Sequence, residues 1–350
     1  MQYRLLGNSG LLVSRMAFGT MTLGIEAKSG SILQKVDLDH AARLIGEAID
    51  LGINYFDTAD MYTGGEAEIV LGKALKDRRQ DVVISTKVGV RSGAPLTQSG
   101  LSRRHIMASI DDSLRRLNTD WTDIYIAHRE DRYTPLEETL EALNDVVRSG
   151  KARYLGYSNW SAWKVAAAIE MQKANGWAQF THGQVYYSLI GRDVEADIVP
   201  MAQNYGLGLT IWSPLAFGFL TGKFDMDTIR GPESRFSDGL FASFLPIDYE
   251  AGFALIETVR RIAREHDATV PQVALAWLLS RSAVSSILLG TTKAQQLRDN
   301  VAAIDLALTP ESLAELDAMA STPKLYPNWF HETGDDMLVR QALEPRGNGA

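Results

Sequence analysis

The sequence predicts an α/β protein built as a single (β/α)8 TIM barrel, with an N-terminal β-hairpin and long loops on the substrate side. Two observations carry this prediction. Short apolar segments rich in β-formers alternate with amphipathic helical segments along the chain, a pattern that calls for a parallel sheet. The alternation repeats eight times with apolar strands, which suggests closure into a barrel, an open doubly wound sheet being the alternative on this pattern alone. The composition, 45% hydrophobic and 22% charged over 350 residues, is ordinary for a globular chain. Closed barrels reach this size as single units, so residues 1–350 are read as one domain.

The elements follow in order. At the N-terminus, Asn8, Ser9, Gly10 and Ser14 interrupt the apolar residues, so the segment reads as a short hairpin and not as a signal peptide. AFGT near 17–20 is the first barrel strand. A helix with Ala41, Ile45, Ala48 and Ile49 on one face leads to a strand over Asn54–Asp57, and VVISTK ends the next strand at Lys87. Ser102 caps a helix whose Ile106, Ile110, Leu114 and Leu117 recur at helical spacing, and DIYIAH ends a strand at His128. Thr134 with Glu137 reads as a capping box with Pro135 in the first helical position. Leu136, Leu140, Leu143 and Val147 form that helix's stripe, and Gly150 takes the C-terminal cap place. ARYLGYS, a helix over 163–174, THGQV at 181–185, a helix over 193–205 and GLTIWS at 208–213 continue the alternation. Helices near 250–266 and 270–281, a strand at 285–290 and a helix at 294–303 complete it. Two stretches break the rhythm, 224–249 and 321–350, and are read as substrate or cofactor loops ending in a polar, disordered tail.

Composition narrows the function. The formal charge of −8 comes without any basic run, leaving no footprint for nucleic acid or an anionic membrane. The absence of cysteine removes disulfides, thiolate metal sites and a cysteine nucleophile, and fits a cytoplasmic protein. No run of 18 apolar residues suggests a spanning helix. There is no GxGxxG after a strand, no phosphate-binding GxxxxGK[ST], no GxSxG elbow and no HExxH among the six histidines. A Rossmann site, a serine hydrolase and a metal site are therefore not expected.

In such a barrel the active site lies at the C-terminal ends of the strands. Those ends carry Asp57, Lys87, His128, Ser158-Asn159, Gln184, Trp212-Ser213 and Gly290-Thr291-Thr292-Lys293. Each has a plain structural explanation when taken singly: a turn cap, a solvated strand end, a half-buried histidine. Their convergence on one rim is what points to chemistry.

FDTADMYTGGE at Phe56–Glu66, ISTK at Ile84–Lys87, YIAHR at Tyr125–Arg129 and GYSNW at Gly156–Trp160 resemble the aldo-keto reductase superfamily. So do WSPLAFGFLTGK at Trp212–Lys223 and LLGTTKAQQLRDN at Leu288–Asn300. GLSRRHI at Gly100–Ile106 and the loop with Ser234-Arg235 point to the bacterial reductases similar to potassium-channel β subunits and aryl-alcohol dehydrogenases.

The resemblance implies NADP(H) bound without a Rossmann domain and a catalytic set of Asp57, Tyr62, Lys87 and His128, with Tyr62 as general acid/base. A phenol with an ordinary pKa near 10 is a weak acid, so the expectation is that Lys87 lowers it, Asp57 holds Lys87, and His128 orients the carbonyl. The resemblance further assigns Gly19, Thr20 and Met21 to the nicotinamide ribose, Ser158, Asn159 and Gln184 to the carboxamide, and Trp212 to the nicotinamide face. Ser213, Pro214, Leu215, Ala216, Phe217, Lys223, Ser234 and Arg235 are assigned to the pyrophosphate. Gly290, Thr292, Lys293, Gln296 and Asn300 are assigned to the adenosine phosphate at a helix N-terminus. Phe236, Tyr326 and Trp329 are the candidate substrate residues.

The implied activity is interconversion of aldehydes or ketones and alcohols, on small substrates of aromatic or apolar character. A homo-oligomer is left open. The alternatives are an NADPH-binding sensor or accessory subunit with weak turnover, and a barrel aldolase using Lys87 as a Schiff-base amine.

Overall fold

The computed structural model describes residues 1–27, 35–231, 234–237, 243–319, 325–333 and 336–343. Parts of both expected loops (232–233, 238–242, 321–324 and 334–335) and the tail beyond 343 lie outside the described residues. The chain opens with the expected hairpin: β1 (Tyr3–Leu5) and β2 (Leu12–Ser14) pair antiparallel, Tyr3 opposite Ser14. Eight parallel strands then close into a barrel: β3 (Met16–Gly19), β4 (Tyr55–Asp57), β5 (Val83–Val88), β6 (Thr122–Ala127), β7 (Ala152–Ser158), β8 (Phe180–Tyr186), β9 (Gly208–Trp212) and β10 (Val284–Leu289). Closure is made by β10, which pairs with β9 on one side and with β3 on the other.

Strand periodicity sets what faces inward. A lower interior layer holds Ala17, Tyr55, Val83, Ile124, Ile126 and Leu288, packed on Leu6 and Val13 of the hairpin. The hairpin thus plugs the N-terminal end of the barrel. Gly7 makes this approach feasible: at φ +56° a Cβ there would lie 2.1 Å from the Thr181 carbonyl oxygen. Above that layer the interior turns polar, with Asp57, Ser85, Lys87, His182, Gln184 and Thr210 all buried. Burial pulls the His182 pKa down to about 3, with Lys87 adding to the effect, so that ring stays neutral.

The outer helices follow the predicted pattern with local differences. Helix 38–50 is capped by Asp37, which accepts from His40 N, and helix 103–117 by Ser102, which accepts from His105 N. The Thr134–Glu137 capping box does not form. Helix Leu136–Arg148 begins after Pro135 without a side-chain cap, because the Thr134 hydroxyl donates instead to Asp131 Oδ2 at 2.7 Å. Asp131 also accepts from Leu101 N and Tyr133 N, which makes it the stronger local acceptor. Gly150 does follow that helix with φ +75°. The single helix expected over 193–205 is a short 3-10 turn, Asp193–Glu195, followed by helix Ile198–Tyr205. Helices Tyr249–Glu265 and Val270–Leu279 pack on each other, and the second starts with a complete Thr269–Gln272 capping box. Among the described residues no helix is long and apolar enough to cross a membrane.

Candidate active site

Asp57 is the last residue of β4, and three donors converge on its buried carboxylate. Lys87 Nζ lies 2.6 Å from Oδ2, while Ser85 Oγ and Gln184 Nε2 donate to Oδ1 at 2.7 and 2.8 Å. Lys87 is fully buried and also donates to the Thr58 carbonyl at 2.7 Å and to the Tyr62 hydroxyl at 3.2 Å. Tyr62 sits on the short 3-10 turn 62–65 after β4, and its ring meets His128 edge-on with centroids 5.8 Å apart. The four residues singled out in the sequence are therefore in one cluster at the C-terminal rim. Ser85 and Thr58 were not anticipated. Ser85 was available as a signal, since it stands two residues before Lys87 on the same strand face.

The electrostatics divide the roles. Burial by itself would lower the Lys87 pKa, but Asp57 and Tyr62 outweigh it and hold the ammonium above its ordinary value. A lysine kept charged in this way is unsuited to Schiff-base chemistry. Tyr62 differs from the expectation: burial raises its pKa, and the opposing pull of Lys87 does not overcome it. The phenol is thus kept in its protonated form, the form that can give up a proton. His128 is pushed well below its ordinary pKa by burial, with Lys87 and Arg129 adding to the effect, and its buried Nδ1 has no partner among the described residues. A neutral imidazole offers one donor and one acceptor.

The remaining predicted residues form three groups. Around the cluster, Gly19 lies beside Asp57 in register, and Thr20 donates to the Asp57 carbonyl through both its N–H and its hydroxyl at 3.0 Å; Met21 follows in the turn. Asn159, at φ +56°, donates to the His128 carbonyl and to Ser158 Oγ and accepts from Trp212 Nε1. It ties three strand ends together. Gln184, expected to face a carboxamide, already gives its amide N–H to Asp57. Trp212 is flanked by Tyr186 and Phe217, with centroids at 5.2 and 6.2 Å.

The second group is the loop after β9. Ser213, Ala216 and Phe217 all have positive φ, +48°, +46° and +53°, with Pro214 and Leu215 between them. Such left-handed conformations are uncommon for residues with side chains and concentrate at functional loops. Further along, Lys223 and Arg235 lie close enough to Lys35 to lower its pKa, which burial lowers first. Arg235 is itself lowered by burial. Ser234 is buried and accepts from Phe236 N. The third group is at helix Ala294–Val301, whose first turn has Lys293 at the cap position and no side-chain cap. Thr292 and Asn300 are half-buried there, Gln296 accepts from Thr291 Oγ1, and a Cβ at Gly290 would meet nothing within 4 Å.

Three clustered cations and an uncapped helix N-terminus fit the two phosphate regions of a dinucleotide. The candidate substrate residues do not join the cluster as a group. Phe236 is buried against Phe219 and Tyr249 and holds its loop on helix 249–265. Tyr326 and Trp329 are exposed and face each other at 6.0 Å, on a turn fastened by Asn328 to the Ala196 carbonyl.

Comparison with known proteins gives a consistent set of relatives. The model of the Aldo/keto reductase family matches residues 15–321. A probable voltage-gated potassium channel subunit beta from Oryza sativa subsp. japonica is 38% identical over 339 residues, covering 93% of this chain and 98% of that protein. A putative voltage-gated potassium channel subunit beta from Schizosaccharomyces pombe is 37% identical over 326 residues, covering 90% and 92%. Versiconal hemiacetal acetate reductase from Aspergillus parasiticus is 35% identical over 348 residues, covering 93% and 99%.

Proposed function

The chain belongs to the aldo/keto reductase family, and from that premise we propose that it is an NADP(H)-dependent oxidoreductase interconverting small aldehydes or ketones and alcohols. The observation that carries the reading is the buried Lys87 ammonium, 2.6 Å from Asp57 and 3.2 Å from a protonated Tyr62 hydroxyl beside a neutral His128. Reduced nicotinamide, when bound, supplies the hydride for the carbonyl carbon. What the protein must then provide is a proton for the oxygen. Tyr62 gives it from its hydroxyl, and Lys87 stabilises the phenolate left behind. Asp57 keeps Lys87 charged and aimed. His128, being neutral, orients the carbonyl by a hydrogen bond without competing for the proton.

Gly19–Met21, Ser158, Asn159, Gln184 and Trp212 would hold the nicotinamide end. The 213–217 loop with Lys223, Ser234 and Arg235, and the Gly290–Asn300 segment, would hold the phosphates. Aromatic side chains around Trp212 favour apolar or aromatic substrates. The absence of cysteine fits a cytoplasmic site of action.

The names of the rice and fission-yeast relatives favour a second reading, a cofactor-binding accessory subunit with weak turnover. NADPH consumption measured against a panel of aldehydes, ketones and secondary alcohols separates the two. The enzyme reading expects turnover most of which Tyr62→Phe removes, leaving a small residual rate, while NADPH affinity stays. Tight NADPH binding without turnover on any carbonyl would favour the accessory role.

A further inference from the structure

The turn that carries Tyr62 is not held by the four rim residues alone. Glu68, in the first turn of the helix that follows it, has no exposed surface. Its carboxylate accepts from Thr86 Oγ1 at 2.5 Å on one oxygen and from Arg116 Nε at 2.6 Å on the other. Thr86 immediately precedes Lys87 on β5 and points to the opposite face, out of the barrel and toward the helices. Arg116 comes from the last turn of helix 103–117, where Ser113 accepts from its Nη2, and its stem lies across Gly65 at the end of the Tyr62 turn. A Cβ at Gly65 would sit 2.8 Å from Arg116 Cδ. The start of the same turn is fastened too: Asp60 accepts from Ser109 on that helix at 2.8 Å, and its N–H donates to the Lys87 carbonyl at 3.3 Å.

We propose that Glu68, clamped by Thr86 and Arg116, is a positioning residue that sets the Tyr62 hydroxyl against Lys87, and so governs proton transfer in the reaction proposed above. Glu68 touches neither Tyr62 nor Lys87. It joins the helix after the tyrosine turn to the strand residue next to the lysine, so the Lys87–Tyr62 separation is fixed from behind. A charge-assisted contact on each side of one carboxylate is stiffer than a neutral one, which suits a separation that must hold within a fraction of an ångström. The inference rests on Tyr62 being the proton donor.

Two variants test it. Arg116→Met keeps the stem over Gly65 and removes the guanidinium; Arg116 is partly exposed, so the fold is expected to survive. Thr86→Val keeps the shape and every charge and removes only the hydroxyl donor. Each is expected to lower kcat for carbonyl reduction by about tenfold or more, with KM and NADPH affinity little changed. In a Tyr62→Phe background the same changes are expected to cost nothing further, since the group they position is gone. Tyrosine labelled with 13C at the ring carbon bearing the hydroxyl gives a readout that needs no turnover, the Tyr62 signal being assigned by Tyr62→Phe. In Thr86→Val its titration is expected to shift upward as the Lys87 contact loosens, with no charge altered. An equal fractional loss of kcat in both backgrounds, or a Tyr62 titration unmoved in Thr86→Val, would overturn the proposal. Absence of carbonyl reduction by the unmodified protein would sink the proposed function instead, and the phenol titration would still decide the positioning role.

Discussion

Asp57→Asn is the substitution whose consequences the geometry specifies most fully. The carboxylate accepts from Lys87, Ser85 and Gln184 in a buried setting, and an amide offers one oxygen where three donors converge. Removing one partner of a buried ion pair strands the other charge and costs about 3–5 kcal/mol. With an unfolding entropy of about 2.1 cal/mol/K per residue, a chain this long loses roughly 4–7 °C in Tm. The pH dependence is more diagnostic than the size. In the unmodified protein Lys87 is held above its ordinary value, so its ammonium contributes stability at pH below about 10.4, lost as pH rises through the folded-state value. Without Asp57, burial is the larger influence and the folded-state value falls below the unfolded one. The unfolded variant then binds the extra proton, and stability is recovered as pH rises toward about 10. Thermal melts of both proteins across pH 7–10 are therefore expected to show a gap that narrows with pH. A variant melting within a degree of the parent, or a gap that widens with pH, would refute the pairing and its sign.

Three further outcomes are expected. Because burial holds Tyr62 above its ordinary pKa, alcohol oxidation, which needs the phenolate, should still be rising at about pH 10, while carbonyl reduction stays level toward neutral pH; an oxidation plateau near neutrality in a pH–rate profile would contradict this. Lys293→Ala should weaken NADPH by about tenfold or more and NADH far less, with high salt narrowing the gap in titrations of each cofactor; equal loss for both would show that the phosphate lies elsewhere. NADPH should quench tryptophan fluorescence, and Trp212→Leu should remove much of the quenching while loosening Asn159, whose side-chain oxygen accepts from that indole; unchanged quenching would remove Trp212 from the site.

The barrel and its rim were legible because they depend on short-range signals. Short apolar strands ending in Asp57, Lys87, His128 and Trp212 need only the local pattern and the rule that such barrels work at their strand ends. The capping box at Thr134 failed because Asp131, three residues earlier, competes for the same hydroxyl. The direction of the Tyr62 shift was misjudged because a neighbouring ammonium can be named from sequence, whereas the depth of burial that outweighs it cannot. Glu68 was invisible for a similar reason: its partners stand 18 and 48 residues away, and nothing in a single chain marks such a pairing. Phe236, an aromatic loop residue read as a substrate contact, packs on Phe219 and Tyr249, a pairing across the loop that local sequence does not mark.

The seam between β10 and β3 has a consequence for synthesis. Ile287 and Leu288 pair there with Met16 and Ala17, and Ser286 donates to the carbonyl of Ser14, which ends β2 just before β3, 272 residues away in sequence. Gly19 ends one seam strand and Gly290 follows the other, so the two extremities proposed to grip one dinucleotide are separated by nearly the whole of translation. A ribosome-bound chain lacking its last strand would carry an open sheet with two bare edges, the state most prone to pair with a neighbour. It would also lack the Gly290–Asn300 segment proposed above to hold a phosphate. Under the proposed function, ligand affinity and edge protection therefore arrive together, once β10 and the helix Ala294–Val301 have been made. On the same reading, dinucleotide binding would thus mark a closed barrel, and the dinucleotide would draw late folding intermediates toward the closed form by mass action.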